Sequence, residues 1–322
     1  MMKNIAISIP TGIGAAFGGY AGDFGCIARE FSKHFYTIVN PNAVNGGILS
    51  AINYNMGYLE GYLFDEFFKG TISITPKKQF ETNKIGVIFD SGIKKDVLNV
   101  HLNTISALKM VQGIETVAIE YTKKPVGVEI LIENNISSGS IQNPDTIVDA
   151  SYNLIKKGAE AIAIVCDFHD DQDDENYANA QGIDPIGGVE AVISHLITSE
   201  FLIPAAHAPA FNNTEISKKL EHPKVAAECI SSTYLPCIMQ GLAIAPKICK
   251  NNKGEIANKN IEFLLTPYDA LGSKAVLSAV KRGIKVVGTD NKTSLNVTAD
   301  KLNINIYEEY KDYMQWLKSI TK

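Results

Sequence analysis

The chain has 322 residues, of which 45% are hydrophobic and 20% charged, a composition that excludes a disordered protein. Its net charge of −5 is spread in both signs, leaving no basic footprint for nucleic acid or an acidic membrane. No apolar run approaches the roughly 18 residues of a membrane span.

A first strand is predicted over Ile5–Ile9, followed by Ser8-Ile-Pro-Thr-Gly-Ile-Gly-Ala-Ala-Phe-Gly-Gly-Tyr-Ala-Gly-Asp23. Gly12, Gly14, Gly18, Gly19 and Gly22 crowd this strand-to-helix junction. Glycine costs backbone entropy, and its usual reason in such a loop is close approach of main-chain N–H groups to an anion at a helix N-terminus. Thr11, Gly12, Gly14, Gly18 and Gly19 are therefore candidate ligand contacts. The spacing G-x-G-x-x-x-G is a variant of the dinucleotide fingerprint, so NAD(P), another phosphate or carboxylate ligand, and a packing role all stay open. A helix over Asp23–His34 and a strand over Thr37–Val39 follow. That strand ends in Asn40-Pro-Asn-Ala-Val-Asn-Gly-Gly47. Asn40 and Asn45 offer uncharged, directional hydrogen bonds suited to orienting a substrate; the alternative is plain turn chemistry.

The middle of the chain reads as a helix over Ile48–Phe68, strands over Thr71–Ile74 and Ile85–Phe89, a helix over Lys94–Val111, and strands over Thr116–Tyr121 and Gly127–Ile132. A surface loop is expected over Ile136–Gln142. Asn143, Pro144 and Asp145 then open a helix to Lys157 that Gly158 stops, with Asn143 as N-cap. Ala161–Cys166 is apolar on both faces, as a central parallel strand should be. At its end stands Cys166-Asp-Phe-His-Asp-Asp-Gln-Asp-Asp-Glu175. Cys166 is a candidate thiolate, and His169 with Asp167 or Asp171 has the chemistry of a divalent-metal site; a solvated acidic loop after an inert cysteine is the competing reading.

Asp184 and Pro185 start a helix to Glu200, on which His195 lies among Ile193, Leu196 and Ile197 and reads as a core histidine. After a short strand, Ile203–Ala205, His207 is held between Pro204 and Pro209 and is the strongest candidate for a catalytic acid–base histidine. A loop over Cys249–Lys259, a strand over Ile261–Leu265, a helix over Pro267–Arg282, a strand over Lys285–Gly288 and a helix over Tyr307–Ser319 complete the chain. Gly272-Ser273-Lys274 has the composition of an anion-holding helix start but lacks the full P-loop pattern.

Strand and helix alternate at the spacing of an α/β fold, a largely parallel sheet flanked by helices, in two Rossmann-like β/α units over residues 1–140 and 141–322. Five cysteines, an odd number without C-x-x-C spacing, and a start lacking a signal-peptide pattern predict reduced thiols in a cytoplasmic protein.

Taken together, the glycine segment, Gly182-Ile-Asp-Pro-Ile-Gly-Gly-Val-Glu-Ala-Val-Ile-Ser-His195, Pro204-Ala-Ala-His-Ala-Pro209 and Leu235-Pro-Cys237 resemble an uncharacterised conserved family, number 3326 in the domain-of-unknown-function series. The resemblance covers nearly the whole chain and implies an α/β protein, with no activity to transfer. It also implies that Cys166 is not a family-wide thiol. A local resemblance is to the aspartate/glutamate racemase superfamily. Phe89-Asp-Ser-Gly92 and Gly158-Ala-Glu-Ala-Ile-Ala-Ile-Val-Cys166 are similar to its strand-end segments, with Asp90 and Cys166 matching. It implies α-proton abstraction by two thiols. Here Asp167 replaces the usual threonine, and the second thiol, Cys237, stands in a context that differs.

The expected function is acid–base chemistry, of isomerase, racemase or lyase type, on a small carboxylate or phosphorylated metabolite. His207, Cys166, Asp90 and His169 would carry it. An NAD(P)-dependent oxidoreductase and a non-catalytic metabolite-binding or sensor protein are the alternatives. The sequence names no cofactor and no metal site; its expected partner is a small anionic metabolite, with no nucleic acid, no membrane, and room for a homo-oligomer.

Overall fold

The computed structural model describes residues 2–14, 24–44, 49, 51–134, 136–168, 183–212, 220, 226, 233–304, 307–310 and 313–321. In chain order the described strands are β1 (Lys3–Ile7), β2 (Phe35–Val39), β3 (Met56–Tyr58), β4 (Ile72–Thr75), β5 (Ile85–Phe89), β6 (Thr116–Tyr121) and β7 (Val128–Glu133). They continue with β8 (Ile136–Ile141), β9 (Ala161–Asp167), β10 (Ala205–Ala210), β11 (Lys247–Lys250), β12 (Ile261–Pro267), β13 (Lys285–Thr289) and β14 (Tyr307–Tyr310). The first seven described α-helices are α1 (Gly25–Ser32), α2 (Gly61–Lys69), α3 (Lys95–Gln112), α4 (Pro144–Lys156), α5 (Gly187–Phe201), α6 (Leu235–Ala243) and α7 (Lys274–Lys281). Two more, α8 (Ala299–Leu302) and α9 (Tyr313–Ile320), lie near the C-terminus.

The α/β class holds. Two parallel sheets run β14-β13-β12-β1-β2-β3 and β10-β9-β5-β6, with two antiparallel pairs, β4–β11 and β7–β8, beside them. Ile5, Ala6 and Ile7 of β1 and residues 161–165 of β9 are all fully buried, because helices cover both faces of a parallel sheet. One apolar cluster crosses from sheet to sheet, joining Ile7 and Leu265 of the first to Val87 and Val165 of the second through Phe31, Leu235, Met239 and Trp316. Two further clusters line the opposite faces.

The sheets do not divide the chain at residue 140. β1 pairs with β12 on one side and β2 on the other, so the first sheet takes strands from both ends of the chain. The second sheet is built from the middle. Consecutive strands remain neighbours within each run, which is why spacing alone suggests two successive units.

Other boundaries shift for local reasons. The helix expected over Ile48–Phe68 is interrupted by β3, where Gly57 lies under the Tyr36 ring; an added Cβ would sit 2.7 Å from the phenol oxygen. Among the described residues the α-helix there is Gly61–Lys69, stopped by Gly70 at φ +78°. The expected surface loop Ile136–Gln142 is β8, which pairs antiparallel with β7 across a turn whose Asn134 has φ +53°. Cys249 belongs to a strand rather than a loop, and the expected helix Tyr307–Ser319 is a strand followed by a helix. Asn143 does not cap α4 through its side chain; its Nδ2 donates to the Pro125 carbonyl.

Candidate functional site

A cleft of about 270 Å3 opens at the carboxyl ends of β1, β2 and β3. Ser8, Pro10 and Thr11 enter from β1, Asn40 and Pro41 from β2, and Glu60 and Asp65 from the start of α2. Ser273 and Ala275 at the start of α7 and Ala191 and His195 of α5 close the other side. This is where open parallel sheets place ligands, because the loops at strand ends diverge there. The volume suits a small metabolite.

Glu60 forms the floor. Its side chain is 2% exposed, and it caps α2 by accepting from the Tyr62 amide at 2.8 Å. Its Oε2 also accepts from the Thr198 hydroxyl at 2.6 Å, and its Oε1 lies 3.6 Å from His195 Nδ1. That last separation is ion-pair range, slightly long for a direct hydrogen bond. The His195 side chain is 45% exposed and stands edge-on to Tyr62 at 5.1 Å. Its pKa is raised, chiefly by Glu60 and against the opposing effect of burial. Asp65 is pushed up by burial, opposed by the charges of Lys274 and Lys69 and by the Ala275 amide. A half-open imidazole backed by a buried carboxylate is an acid–base pair in form. His195, expected in the core, is therefore the histidine that faces the cleft among the described residues.

Helix α5 supplies this geometry because Glu190, Ala191, Ser194, His195 and Thr198 recur at helical spacing and share a face. Deeper along the same face lies a second network. His207 Nδ1 is 3.0 Å from Ser194 Oγ, and its Nε2 is 3.6 Å from Glu190. Tyr58 donates to the Ala205 carbonyl at 3.3 Å. Burial, with smaller contributions from Glu60 and Glu190, raises its phenol pKa well above the ordinary value. His207 is pushed down to about 4 by burial, so its ring is neutral at pH 7, and its side chain is only 18% exposed. His207 does not line the cleft and sits behind it, held by Ser194 and Glu190.

Asp90, Cys166 and the Asn40 amide are engaged by the fold. Asp90 accepts from the amides of Gly92 and Val126, each at 3.0 Å, and of Asp167 at 3.2 Å, tying the segments after β5 and β6 to the end of β9. The Cys166 thiol is buried and its pKa raised well above the ordinary value, by burial first and then by Asp90, Glu190 and Asp167, the reverse of what a thiolate nucleophile needs. Cys237, the second thiol implied by the racemase resemblance, is buried on α6. Asn40 exchanges both hydrogen bonds of its amide with the Ile9 backbone, at 3.0 and 2.7 Å, so it staples β1 to β2 instead of turning to a ligand.

In the glycine segment, Gly12 has φ +73°, and an added Cβ would lie 2.5 Å from the Ser137 carbonyl oxygen, so close packing on β8 accounts for it. The Gly14 amide donates to Ser294 Oγ at 3.2 Å. Thr11 alone of the described candidates in that segment lines the cleft. Ser273 caps its own helix by accepting from Val276 at 3.2 Å, and Asp65 takes the Ala275 amide, so two amides at the start of α7 are already engaged. Gly18, Gly19, Asn45 and His169 lie outside the described residues. Among the described residues no group of three or more His, Cys, Asp or Glu side chains could hold a metal ion.

Sequence reasoning missed Glu60 and Asp65. The available signal was an acid between Leu59 and Gly61, in an otherwise apolar stretch, at the first position before a helix.

No solved structure matches the chain. An uncharacterized lipoprotein of Synechococcus sp. is 33% identical over 320 residues, covering 96% of this chain and 88% of the relative. That finding overturns the expectation of a cytoplasmic protein, since lipoproteins are held at membranes by attached lipid. The family model described as "Protein of unknown function (DUF3326)" matches residues 4–321, and the chain belongs to that family.

Proposed function

We propose that the cleft binds a small carboxylate or phosphorylated metabolite and that His195, backed by Glu60, moves a proton on it. The observation that carries this reading is the half-exposed His195 ring opening on the cleft with a buried carboxylate 3.6 Å behind it. Glu60 raises the basicity of the ring and fixes its orientation, while Thr198 and the Tyr62 amide hold Glu60 still. Lys274, next to the cleft residues Ser273 and Ala275, acts electrostatically on both Asp65 and His195 and places a positive charge near the cleft.

The test is solvent deuterium exchange at carbon, followed by NMR across a panel of small hydroxy, amino and phosphorylated acids. Panel members that bind should raise the melting temperature and exchange. The His195→Gln variant should lose exchange by about a hundredfold or more, in line with a general acid–base group, and keep affinity within a few-fold. Ligands that bind without exchanging would make this a binding or sensor protein. If no panel member binds, or if His195→Gln exchanges like the parent, the reading fails.

A further inference from the structure

The amino-terminal end of the second sheet carries an unusual surface. Three segments meet there, because each leads into the first residue of a paired strand: 76–84 into β5, 110–115 into β6 and 156–160 into β9. Phe80 is 86% exposed, and Met110 and Val111 of the α3 end are 83% and 79% exposed.

Phe80 occupies a turn closed by the Glu81 amide donating to the Lys78 carbonyl at 2.9 Å, and its φ is +72°. A positive φ at the third residue of a turn is the type II pattern, a place for glycine or asparagine. A bulky aromatic there is a strained choice that packing does not repay, since the ring contacts almost nothing.

The charges around it are sorted. Lys78, Lys84, Lys109 and Lys156 are exposed, and Lys77 is half-exposed. Three exposed acids lie among these five lysines and are outnumbered by them: Glu115 on the segment before β6, Glu81, which accepts from the Lys78 amide at 3.1 Å, and Glu160, which accepts from the Lys84 amide at 3.0 Å. Among the described residues no carboxylate comes within ion-pair distance of Lys77, Lys78, Lys84 or Lys109. The overall charge of −5 conceals this local cationic edge.

We infer that this edge docks on an anionic lipid surface, with Phe80, Met110 and Val111 entering the headgroup boundary and the lysines meeting the phosphates. Aromatic and aliphatic tips ringed by unpaired lysines are the chemistry of interfacial binding, in which buried apolar area and attraction to anionic headgroups add. The inference is independent of the cleft.

The experiment is co-sedimentation of the full chain with vesicles of phosphatidylcholine alone and with about one third phosphatidylglycerol. Binding should occur on the anionic vesicles, weaken steeply with salt, and be slight on the neutral ones. Phe80→Gly suits the backbone of the turn, so it should leave the melting temperature unchanged or higher, yet lower vesicle affinity by about tenfold. Lys77→Glu with Lys78→Glu should lower it further and reduce the salt dependence. Absence of binding to anionic vesicles overturns the inference, as does binding that Phe80→Gly leaves intact. So does a self-association constant, measured by sedimentation, that Phe80→Gly weakens in place of vesicle binding; the edge would then be a contact between copies.

Discussion

At the scale of the residue, three histidines differ because their surroundings differ. Glu60 raises the pKa of His195, whereas burial lowers His207 and His101 to about 4. Glu60→Gln should therefore bring the pKa of His195, read from its imidazole proton shifts, back toward or below 6.5. An unmoved titration would show that Glu60 does not govern the ring. The stability signs are opposite. His195 contributes stability that is full below its unfolded value near 6.5 and is lost as pH rises through its raised folded value. For His207 and His101 the contribution is full above 6.5 and is lost as pH falls toward 4. His101 Nδ1 is buried without a hydrogen-bond partner among the described residues, with its ring against Phe89. His101→Leu should be neutral to about 1 kcal/mol stabilising at pH 7, and the gain should grow at pH 4.5 in urea titrations. A larger loss than the parent at pH 4.5 would contradict the assignment. The buried and half-buried states behind these differences were not readable from sequence: His195 sits among Ile193, Leu196 and Ile197, and only the approach of α2 shows which side of α5 is open.

At the scale of the element, glycines decide how the β7–β8 hairpin, α5 and the segment after β1 fit together. A Cβ on Gly188 would lie 2.1 Å from the Ser137 carbonyl oxygen, and one on Gly139 would lie 2.2 Å from that of Glu129. Ser137 Oγ donates to the Pro185 carbonyl at 2.8 Å and accepts from the Gly188 amide at 3.0 Å, and the Ser137 amide donates to Gly12 at 2.7 Å. Gly188→Ala should therefore cost roughly 2–4 kcal/mol, since backbone stands in the way and α5 would have to move. A denaturation midpoint within about 0.5 kcal/mol of the parent would rule out this close contact. Moving α5 would also displace His195, so any ligand affinity should fall with it. The strands β5 and β6 were legible to the residue because their apolar runs are bounded by turn residues. β8 was not, because Ser-Ser-Gly-Ser has loop composition, and what makes it a strand is its partner β7.

At the scale of the whole molecule, the first sheet needs both ends of the chain. β1 is central only because β12 pairs on its outer side, from Asn4 with Ile261 to Ile7 with Leu265. A fragment ending at residue 140 lacks β12 to β14 and should show far-UV circular dichroism without cooperative unfolding. A cooperative melt of that fragment would show that the ends fold apart. The alternation of apolar runs and helical stripes, by itself, determined the α/β class, the parallel pairing and most element positions, because periodicity and turn residues act over a few neighbours. Which strands share a sheet, which side of α5 faces a cleft and which histidine is half-open were decided only by tertiary packing. Those outcomes depend on contacts between residues tens to hundreds of positions apart, such as Glu60 with Thr198 and Gly12 with Ser137, and a local pattern carries no record of them.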